Sequence, residues 1–430
     1  MTNVTEIKSS EATTTVRHQI VVVGGGAGGI TVTTQLLSKN PSLNIAIVEP
    51  SQKHYYQPAW TLVGGGVFNL EDTEREEKNL IPQGVSWIRE SVAKLDPDNN
   101  AIITQQGTKI EYDYLILAPG IQIDWHLIEG LTGALGKDGV TSNYSKQYAP
   151  YTWETLQNFK GGTAIFTYPN TPIKCGGAPQ KIMYLADDHF KSKSGVGTNT
   201  KVIYCTAGGK MFPVPEYCET IEQIVDRRNI EVKYKHNLKA IDTQTKEAIF
   251  EATTEEGTSE VRIKYDMIHV APPMSAPDFI KESPLAMPNN PLGWVDVDKN
   301  TLQHNKYPNV FSLGDASSLP TSKTAAAIRK QAPALVTTLL SVVADRSDRG
   351  NYQGYTCCPL VTGYGKTVMA EFDYSNTPTP SFPLLDQTKE HYLMWLAKKY
   401  LLPWLYWNRM LKGSNFEGDI LKNKQEKVVK

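Results

Sequence analysis

Cysteine carries the most reactive side chain in proteins, and this sequence holds five cysteines in 430 residues. Five is too few for a disulfide scaffold, and an odd number leaves at least one cysteine unpaired. Cys175 lies in PIKCGGAPQKIMYL, in a turn before a predicted helix. The positive end of a helix dipole favours the thiolate form at such a position. We therefore predict that Cys175 takes part in local redox or nucleophilic chemistry.

The other cysteines differ in context. Cys357 and Cys358 are adjacent in YTCCPL, whereas Cys205 falls in a predicted strand and Cys218 before a predicted helix. A buried free cysteine behaves as a small apolar residue, and we predict this structural role for Cys205 and Cys218. No CxxC or HxxxH spacing is present, so we expect no zinc and no other metal site.

A glycine-rich turn follows the apolar run at residues 20–23. Gly24, Gly26 and Gly29 occupy the glycine positions of GxGxxG. In this motif the first glycine permits a tight turn, the second lets the backbone approach a pyrophosphate, and the third allows close helix packing. The helix N-terminus attracts the negative charge. The turn residues predicted to bind the cofactor are Gly24, Gly26, Ala27, Gly28 and Gly29.

An acidic residue completes this pattern, because Glu49 follows 20 residues after Gly29, at the end of a second apolar run. Such an acid accepts hydrogen bonds from ribose hydroxyls. The glycines alone are also compatible with a turn that binds no ligand. Strand, turn, helix and acid together predict a dinucleotide site.

The middle of the chain lacks the matching turn. Where a second GxGxxG would bind NAD(P)H, the sequence reads YPNTPIKCGG, with Pro169 and Pro172 at the turn. Proline removes N–H donors and its ring blocks close approach of the backbone to a phosphate. NAD(P)H binding is therefore disfavoured.

These motifs require two strand-turn-helix units with parallel sheets. The fold class is α/β, with two Rossmann-like dinucleotide-binding domains and an amphipathic helical C-terminal segment that associates with a membrane. The predicted division is a flexible leader at 1–17, the first part of the dinucleotide-binding domain at 18–150, a second Rossmann-like domain at 151–290, a return to the first domain at 291–360, and a C-terminal membrane-interface segment at 361–430.

Composition excludes several classes of protein. Lysine plus arginine number 44 against 45 acidic residues, so no basic surface for nucleic acid is expected. The N-terminal residues lack the apolar segment of a secretory signal. No window approaches the ~18 consecutive apolar residues of a transmembrane helix, although peripheral attachment to a membrane stays open.

Two distant landmarks point to the cofactor. YDYLILAPG ends in Gly120, and NVFSLGDA contains Gly314 and Asp315. This order is similar to that of flavoproteins with two dinucleotide-binding domains, in which a strand ending in Gly-Asp returns to the FAD. The resemblance implies that FAD is the cofactor and that Asp315 contacts its ribityl and phosphate region.

A narrower resemblance covers residues from about 18 to 415. The segments that carry it are PIKCGGAPQKIMYL, HYYQPAWTLVGGG, PTSKTAAA, YTCCPLVTGYGKTVMAEFDY and LLPWLYWNRML. Together they resemble the sulfide:quinone oxidoreductase family of the type shared with mitochondria. The family implies hydrogen sulfide and a quinone as substrates, with a small thiol, sulfite or growing polysulfide as the sulfur acceptor.

The resemblance also assigns the redox pair to Cys175 and Cys358, the cysteine before Pro359. Cys357 stands where the family has a small hydroxyl residue, so its participation is left open. Hydrosulfide attack on a Cys175–Cys358 disulfide would leave a persulfide on one sulfur and a thiolate on the other. Cys175 is then expected to face the flavin, and Cys358 to carry the sulfane sulfur.

Further cofactor contacts are expected at three positions. Lys323 in PTSKTAAA precedes a run of helix formers, where a lysine and a helix N-terminus would stabilise negative charge on the reduced flavin. The alternative is an exposed lysine at a helix cap. Gln57 and Val92 are assigned to the flavin and the adenine side by resemblance only.

The tail from Tyr392 reads YLMWLAKKYLLPWLYWNRMLK, in which aromatic residues and leucines alternate with Lys398, Lys399, Arg409 and Lys412. We predict short helices broken at Pro403 that lie in a membrane interface, on the cytoplasmic face or the mitochondrial inner membrane. A packed helical pair or a homo-oligomer contact is the alternative. Because the cysteines and the FAD motifs precede the tail, flavin reduction is expected to survive its deletion.

Two other functions are compatible with part of this pattern. A type II NADH:quinone dehydrogenase shares FAD, Gly-Asp and a membrane tail, but it requires the nucleotide turn that Pro169 and Pro172 disfavour. An interaction protein on the same fold would have no use for two cysteines at the flavin. Flavin bleaching by sulfide without NADH distinguishes the three.

Overall fold

The computed structural model describes residues 14–192, 195–381 and 385–414. Within these residues the strands are β1 (Thr14–Val23), β2 (Ile45–Val48), β3 (Lys53–Tyr55), β4 (Glu74–Glu76), β5 (Ser86–Ile88), β6 (Val92–Asp96), β7 (Ala101–Thr104), β8 (Thr108–Leu117), β9 (Gln122–Ile123), β10 (Val140–Thr141), β11 (Gly162–Tyr168), β12 (Thr200–Thr206), β13 (Glu231–Lys233), β14 (His236–Asp242), β15 (Glu247–Thr254), β16 (Gly257–Lys264), β17 (Met267–His269), β18 (Met274–Ser275), β19 (Val310–Ser312), β20 (Thr356–Gly363) and β21 (Lys366–Phe372). The α-helices are α1 (Ala27–Lys39), α2 (Trp60–Gly64), α3 (Leu131–Ala134), α4 (Ala149–Asn158), α5 (Ala178–Ser192), α6 (Pro215–Arg228), α7 (Asp278–Lys281), α8 (Ala325–Val343), α9 (Tyr392–Leu396) and α10 (Leu402–Asn408).

The first sheet has the order β5-β2-β1-β8-β7-β6, and β19 pairs with β8. Strands β1, β2, β5, β8 and β19 are parallel to one another, whereas β7 and β6 continue the sheet antiparallel. Residues 20–23 and 45–48 are buried along their whole length. Strands buried on both faces are apolar throughout, which is why these runs do not alternate with polar residues.

Strand β1 begins earlier than the sequence indicated. Thr14 already pairs with Thr108, so residues 14–17 of the predicted leader belong to the sheet. The long partner strand β8 supplies backbone hydrogen bonds to this stretch, whose own sequence TTVR has little apolar character. The rest of the predicted leader lies outside the described residues.

The second sheet is parallel, with the order β10-β17-β11-β12-β13. Helix α5 packs against β11 and β12, and the antiparallel strands β14, β15 and β16 form a separate three-stranded sheet. The hairpin β20–β21 packs on α5. This contact brings Cys358 of the hairpin to the N-terminal end of the helix that follows Cys175.

The tail forms one helical run of changing type. A π-helix at Ala397–Leu401 connects α9 to α10. Pro403 lies in the first turn of α10, where its missing N–H is tolerated, so the predicted break at this proline is wrong and the irregular stretch precedes it. Among the described residues, no helix is both long and apolar enough to cross a membrane.

A buried ion pair fixes α5, α6 and the hairpin together. Arg228 Nη1 donates to Asp187 at 2.8 Å and to Asp188 at 3.1 Å, and its Nη2 donates to the carbonyl of Thr362 at 2.6 Å. Arg228 and Asp187 are both buried. Removing one member of such a group leaves charge and a carbonyl buried without partners, which is costly.

We predict that Arg228→Met lowers the free energy of unfolding by about 3 kcal/mol. The change leaves the two aspartates and the carbonyl of Thr362 without the hydrogen-bond donor that they share. Thermal unfolding measures the effect. Arg227→Met is the matched control, because the Arg227 side chain is 54% exposed where it pairs with Glu390, and solvent weakens such a pair. Equal unfolding temperatures for the two variants would contradict the prediction.

Candidate active site

The glycine turn has the geometry of a phosphate site. Gly24 has φ +100°, and a Cβ there would overlap the carbonyl oxygen of Ala118, whereas a Cβ at Gly29 would overlap the carbonyl oxygen of Gly24. At Gly26 a Cβ would meet no atom within 4 Å. Two glycines are therefore required for packing within the protein. The third leaves open space beside the N-terminus of α1, which is the space a pyrophosphate would take.

Glu49 lies beside this turn. Its Oε2 accepts from the backbone N–H of Gly25 at 2.9 Å, and its Oε1 accepts from that of Ser51 at 2.7 Å. Burial raises the pKa of Glu49, and these two donors oppose that shift. Each oxygen retains a lone pair for a ribose hydroxyl. The carboxylate both fixes the turn and lines the cavity next to it.

That cavity has a volume of about 490 Å³, within the usual range for small-molecule sites. The predicted residues on its wall are Gly26, Ala27, Gly28, Glu49, Gln57, Gly120, Cys175, Gly314, Asp315 and Lys323. Val92, assigned to the adenine side by resemblance, is a buried core residue at the start of β6 and is not on this wall. The glycine cradle, the carboxylate and a lining that reaches from the glycine turn to Lys323 fit FAD.

Lys323 is buried, so the alternative of an exposed lysine at a cap is wrong. Its Nζ donates to the carbonyls of Asp315 at 2.6 Å and Ser317 at 3.0 Å, and lies 3.8 Å from the ring centroid of Trp294. Burial lowers its pKa to about 8, and the charge of Asp315 opposes this. The next residue, Thr324, caps α8 by accepting from the backbone N–H of Ala327. A cation and a helix N-terminus thus meet at the cavity.

Cys175 and Cys358 lie together although 183 residues separate them. Their Sγ atoms are 3.6 Å apart. A Cβ at Gly177 would lie 2.6 Å from Sγ of Cys358, so this glycine makes the approach possible. Cys175 has φ +86°, a backbone conformation that non-glycine residues rarely adopt. Strain of this kind is concentrated at functional sites.

Charge distinguishes the two sulfurs. Nζ of the buried Lys181 lies 3.2 Å from Sγ of Cys175. The hydrogen bond from Cys358 and the charge of Lys181 hold the pKa of Cys175 well below its usual value, against the effect of burial. Donating that bond, together with burial, raises the pKa of Cys358. The pair therefore ionises at Cys175.

Cys357 projects to the other side of its strand, because successive side chains of β20 alternate. Its Sγ lies 3.5 Å from Sδ of Met369, and burial raises its pKa. Cys205 is fully buried, and burial raises its pKa to about 12. Cys218 interacts with Glu222 on the surface of α6. This arrangement supports the assignment of Cys358 as partner of Cys175.

Sequence reasoning missed the lysines at the redox pair. Lys181 is six residues after Cys175, and its position on the first turn of the helix that begins three residues after the cysteine was the available signal. Lys174 donates to Gln57 at 2.8 Å and lines the cavity. Burial lowers the pKa of Lys174 to about 8. In the described part of the chain no group of His, Cys, Asp or Glu forms a metal-ligand cluster.

The tail is part of the site, which corrects two expectations. Lys398, predicted to flank a membrane interface, is buried. Tyr406 is also buried, and its hydroxyl lies 2.6 Å from Nε2 of His54, whose Nδ1 lies 3.1 Å from the carbonyl of Gly25. Ala397, Lys398, Leu401, Leu402, Leu405, Tyr406 and Met410 line the FAD cavity. Deleting the tail would open this cavity, so flavin reduction cannot be expected to be independent of it.

The glycine cradle, the returning Gly-Asp strand and the paired sulfurs define a flavoprotein of the disulfide-oxidoreductase class. The model of the pyridine nucleotide-disulphide oxidoreductase family matches residues 18–150. A solved structure of the sulfide:quinone oxidoreductase from Aquifex aeolicus has the same fold, with a TM-score of 0.81 at 22% identity, covering 94% of this chain and 95% of that one.

Two curated relatives identify the family. The mitochondrial sulfide:quinone oxidoreductase of Mus musculus is 48% identical over 386 residues, which is 90% of this chain and 84% of that protein. The mitochondrial sulfide:quinone oxidoreductase of Dictyostelium discoideum is 48% identical over 398 residues, 92% of this chain and 86% of that protein. The chain belongs to the sulfide:quinone oxidoreductase family.

We predict that Gly26→Val folds but retains little FAD, because its side chain occupies the cradle beside α1. The flavin-to-protein absorbance ratio after purification measures retention. Gly209→Val is the control, since its Cβ is equally unobstructed and it lies away from the cavity. Full FAD content in Gly26→Val would exclude this cradle as the pyrophosphate site.

Proposed function

We propose that this protein is an FAD-dependent enzyme that oxidises hydrogen sulfide and reduces a membrane quinone. The observation that carries the proposal is the pair of sulfur atoms of Cys175 and Cys358, which lie 3.6 Å apart with Cys175 on the wall of the FAD cavity. A thiolate at that position can deliver electrons to a flavin. The name shared by the curated relatives supports the same activity.

The cysteines perform the sulfur chemistry. In the oxidised enzyme they form a disulfide, and hydrosulfide attacks Sγ of Cys358, so that one S–S bond forms as another breaks. Cys358 becomes a persulfide, and Cys175 leaves as a thiolate beside Lys181. A nucleophilic acceptor such as a small thiol, sulfite, a polysulfide or, with sulfide alone, a second hydrosulfide then takes the outer sulfur and leaves a thiolate on Cys358. Re-forming the disulfide releases two electrons.

The chain's own residues prepare the site for this exchange. FAD, when bound, accepts the two electrons and passes them to the quinone. The glycine turn and Glu49 would hold its adenosine diphosphate half. Lys323 and the N-terminus of α8 would hold negative charge at the flavin end. Lys181 stabilises the Cys175 thiolate as leaving group, since its ammonium lies 3.2 Å from the sulfur.

The NADH:quinone dehydrogenase alternative has little support. Strand β11 ends at Tyr168, and the connection to α5 carries Pro169, Pro172 and the strained Cys175 in place of a glycine turn. A pyrophosphate would find few backbone donors there. Electrons therefore enter through the cysteines.

We predict that anaerobic sulfide bleaches the flavin absorption band of the wild-type enzyme and that NADH does not. Cys175→Ser and Cys358→Ser should each lose sulfide-driven bleaching by at least ~100-fold in rate, because no disulfide can form. Cys357→Ser is the matched control from the adjacent position and should remain active. Inactive Cys357→Ser with active Cys358→Ser would reverse the assignment, and bleaching by NADH would favour the dehydrogenase.

We infer that the tail also attaches the enzyme to a membrane surface, where a lipid-soluble quinone is found. Its exposed apolar side chains are Tyr392, Leu393, Tyr400, Leu401 and Trp404. Trp395 and Trp407, expected in the same surface, instead pack against Tyr364 and Tyr406. Exposed aromatic and aliphatic side chains on a short helix favour the headgroup region of a bilayer.

The combined variant Leu393→Ser, Tyr400→Ser and Trp404→Ser should sediment with liposomes several-fold less than the wild type. It removes apolar area from the exposed side of the tail that is proposed to contact the membrane. FAD content should be unchanged. The control variant replaces three exposed apolar residues elsewhere: Leu127→Ser, Tyr234→Ser and Met287→Ser. Undiminished liposome binding of the tail variant would favour a contact between copies of the chain.

A further inference from the structure

Lys398 is a buried lysine that has no carboxylate partner among the residues the structure describes. It belongs to the π-helix of the tail and is only 2% exposed. Nζ donates to the carbonyl of Pro58 at 2.9 Å and lies 5.9 Å from the ring centroid of Tyr56. Within the described residues no Asp or Glu forms an ion pair with it. Lysines are almost never this buried unless a nearby negative charge compensates them.

The negative charge available to Lys398 is the redox pair. Lys398 and Cys175 line the same cavity, and the charge of Lys398 contributes to lowering the pKa of Cys175. Burial and repulsion from Lys181 lower the pKa of Lys398 to about 8, while the sulfurs of Cys175, Cys358 and Cys357 oppose this. The charges of Lys181 and Lys398 thus both act on the Cys175 sulfur, which Lys181 contacts directly. The cluster has an excess of positive charge.

We propose that Lys398 is a positioning residue of the sulfide site and that the fold of the membrane-facing tail places it there. This inference rests on the proposed function. Its ammonium stabilises the Cys175 thiolate together with Lys181, and the excess positive charge attracts the hydrosulfide anion. The tail therefore has two roles, with apolar side chains on its outer face and a charged group for the redox pair on its inner face.

The tail is anchored so that this ammonium is held in place. Tyr406, two helical turns beyond Lys398, bonds to His54, which bonds to the carbonyl of Gly25 in the glycine turn. A carbonyl only accepts, so Nδ1 of His54 donates to Gly25, and the same nitrogen lies 3.2 Å from Oε2 of the buried Glu77. Movement of the tail would displace Lys398 from the cysteines and Tyr406 from the glycine turn at once.

The titratable groups that face Lys398 are Tyr56, Lys181, Cys175, Cys357 and Cys358. Below about pH 8 Lys398 is charged and supports the thiolate. As the pH rises through that value Lys398 becomes neutral, and its support of the Cys175 thiolate is lost. A neutral replacement should therefore raise the pKa of Cys175, with its largest effect on reactivity at low pH.

The test is the rate of iodoacetamide alkylation of Cys175 in the reduced holoenzyme between pH 5 and 9, followed by mass spectrometry on the peptide that carries it. The midpoint of the Lys398→Gln profile should lie about one pKa unit above that of the wild type, which makes alkylation about tenfold slower at a pH below both midpoints. Lys399→Gln is the matched control, because Lys399 lies beside the ring of the exposed Tyr400. It should leave the profile unchanged.

Lys398→Arg keeps the positive charge and should give the wild-type profile. That recovery would show that the glutamine acts by removing the charge and not only by disturbing the structure. Lys398→Met, which keeps the apolar stem, replaces Lys398→Gln if the latter does not fold. An unchanged profile in the neutral variant overturns the proposal. Alkylation needs no sulfide turnover, so failure of sulfide to bleach the wild-type flavin would refute the proposed function and leave this measurement valid.

Discussion

The contact between an ionised sulfur and a buried lysine is the interaction on which this structure depends. A thiolate is costly to bury unless a positive charge and a hydrogen-bond donor compensate it. Cys175 obtains the charge from Lys181 and the donor from Cys358. These two requirements impose three constraints on the fold. Helix α5 must begin just after Cys175, the hairpin β20–β21 must pack on α5, and residue 177 must be a glycine.

The cofactor cavity imposes a second set of constraints that meets the first at Cys175. The glycine turn gives the cavity its phosphate end, and its two packing glycines fix α1 against the first sheet. Strand β19 returns to that sheet and places Asp315 on the cavity wall. The tail closes the remaining side through Tyr406 and Lys398. The glycine turn, Asp315, Cys175 and the tail thus line one cavity, although they come from segments far apart in the chain.

Features encoded locally were accessible from the sequence. The glycine turn and Glu49 are fixed by one strand-turn-helix-strand unit. The α/β class and the family of the chain followed from such motifs. The parallel strands are buried on both faces and are therefore continuous apolar runs, which is why the sequence predicts them.

Features that depend on distant packing were not accessible. The early start of β1 at Thr14 depends on its partner β8, and the position of Lys398 depends on how the whole tail folds back. A lysine among tryptophans and leucines has the same local sequence whether it reaches a membrane surface or a buried thiolate. The local sequence also does not show that the two adjacent sulfurs of β20 lie on opposite faces of the strand.

The central claim is that Cys175 and Cys358 form the redox pair at the flavin. Peptide mapping of the air-oxidised, unreduced holoenzyme tests it directly, with fragmentation to distinguish Cys358 from its neighbour. We expect a covalent sulfur link between the peptides carrying Cys175 and Cys358, with Cys357 alkylatable as a free thiol after unfolding. A link from Cys175 to Cys357, or free thiols at both Cys175 and Cys358, would contradict the account.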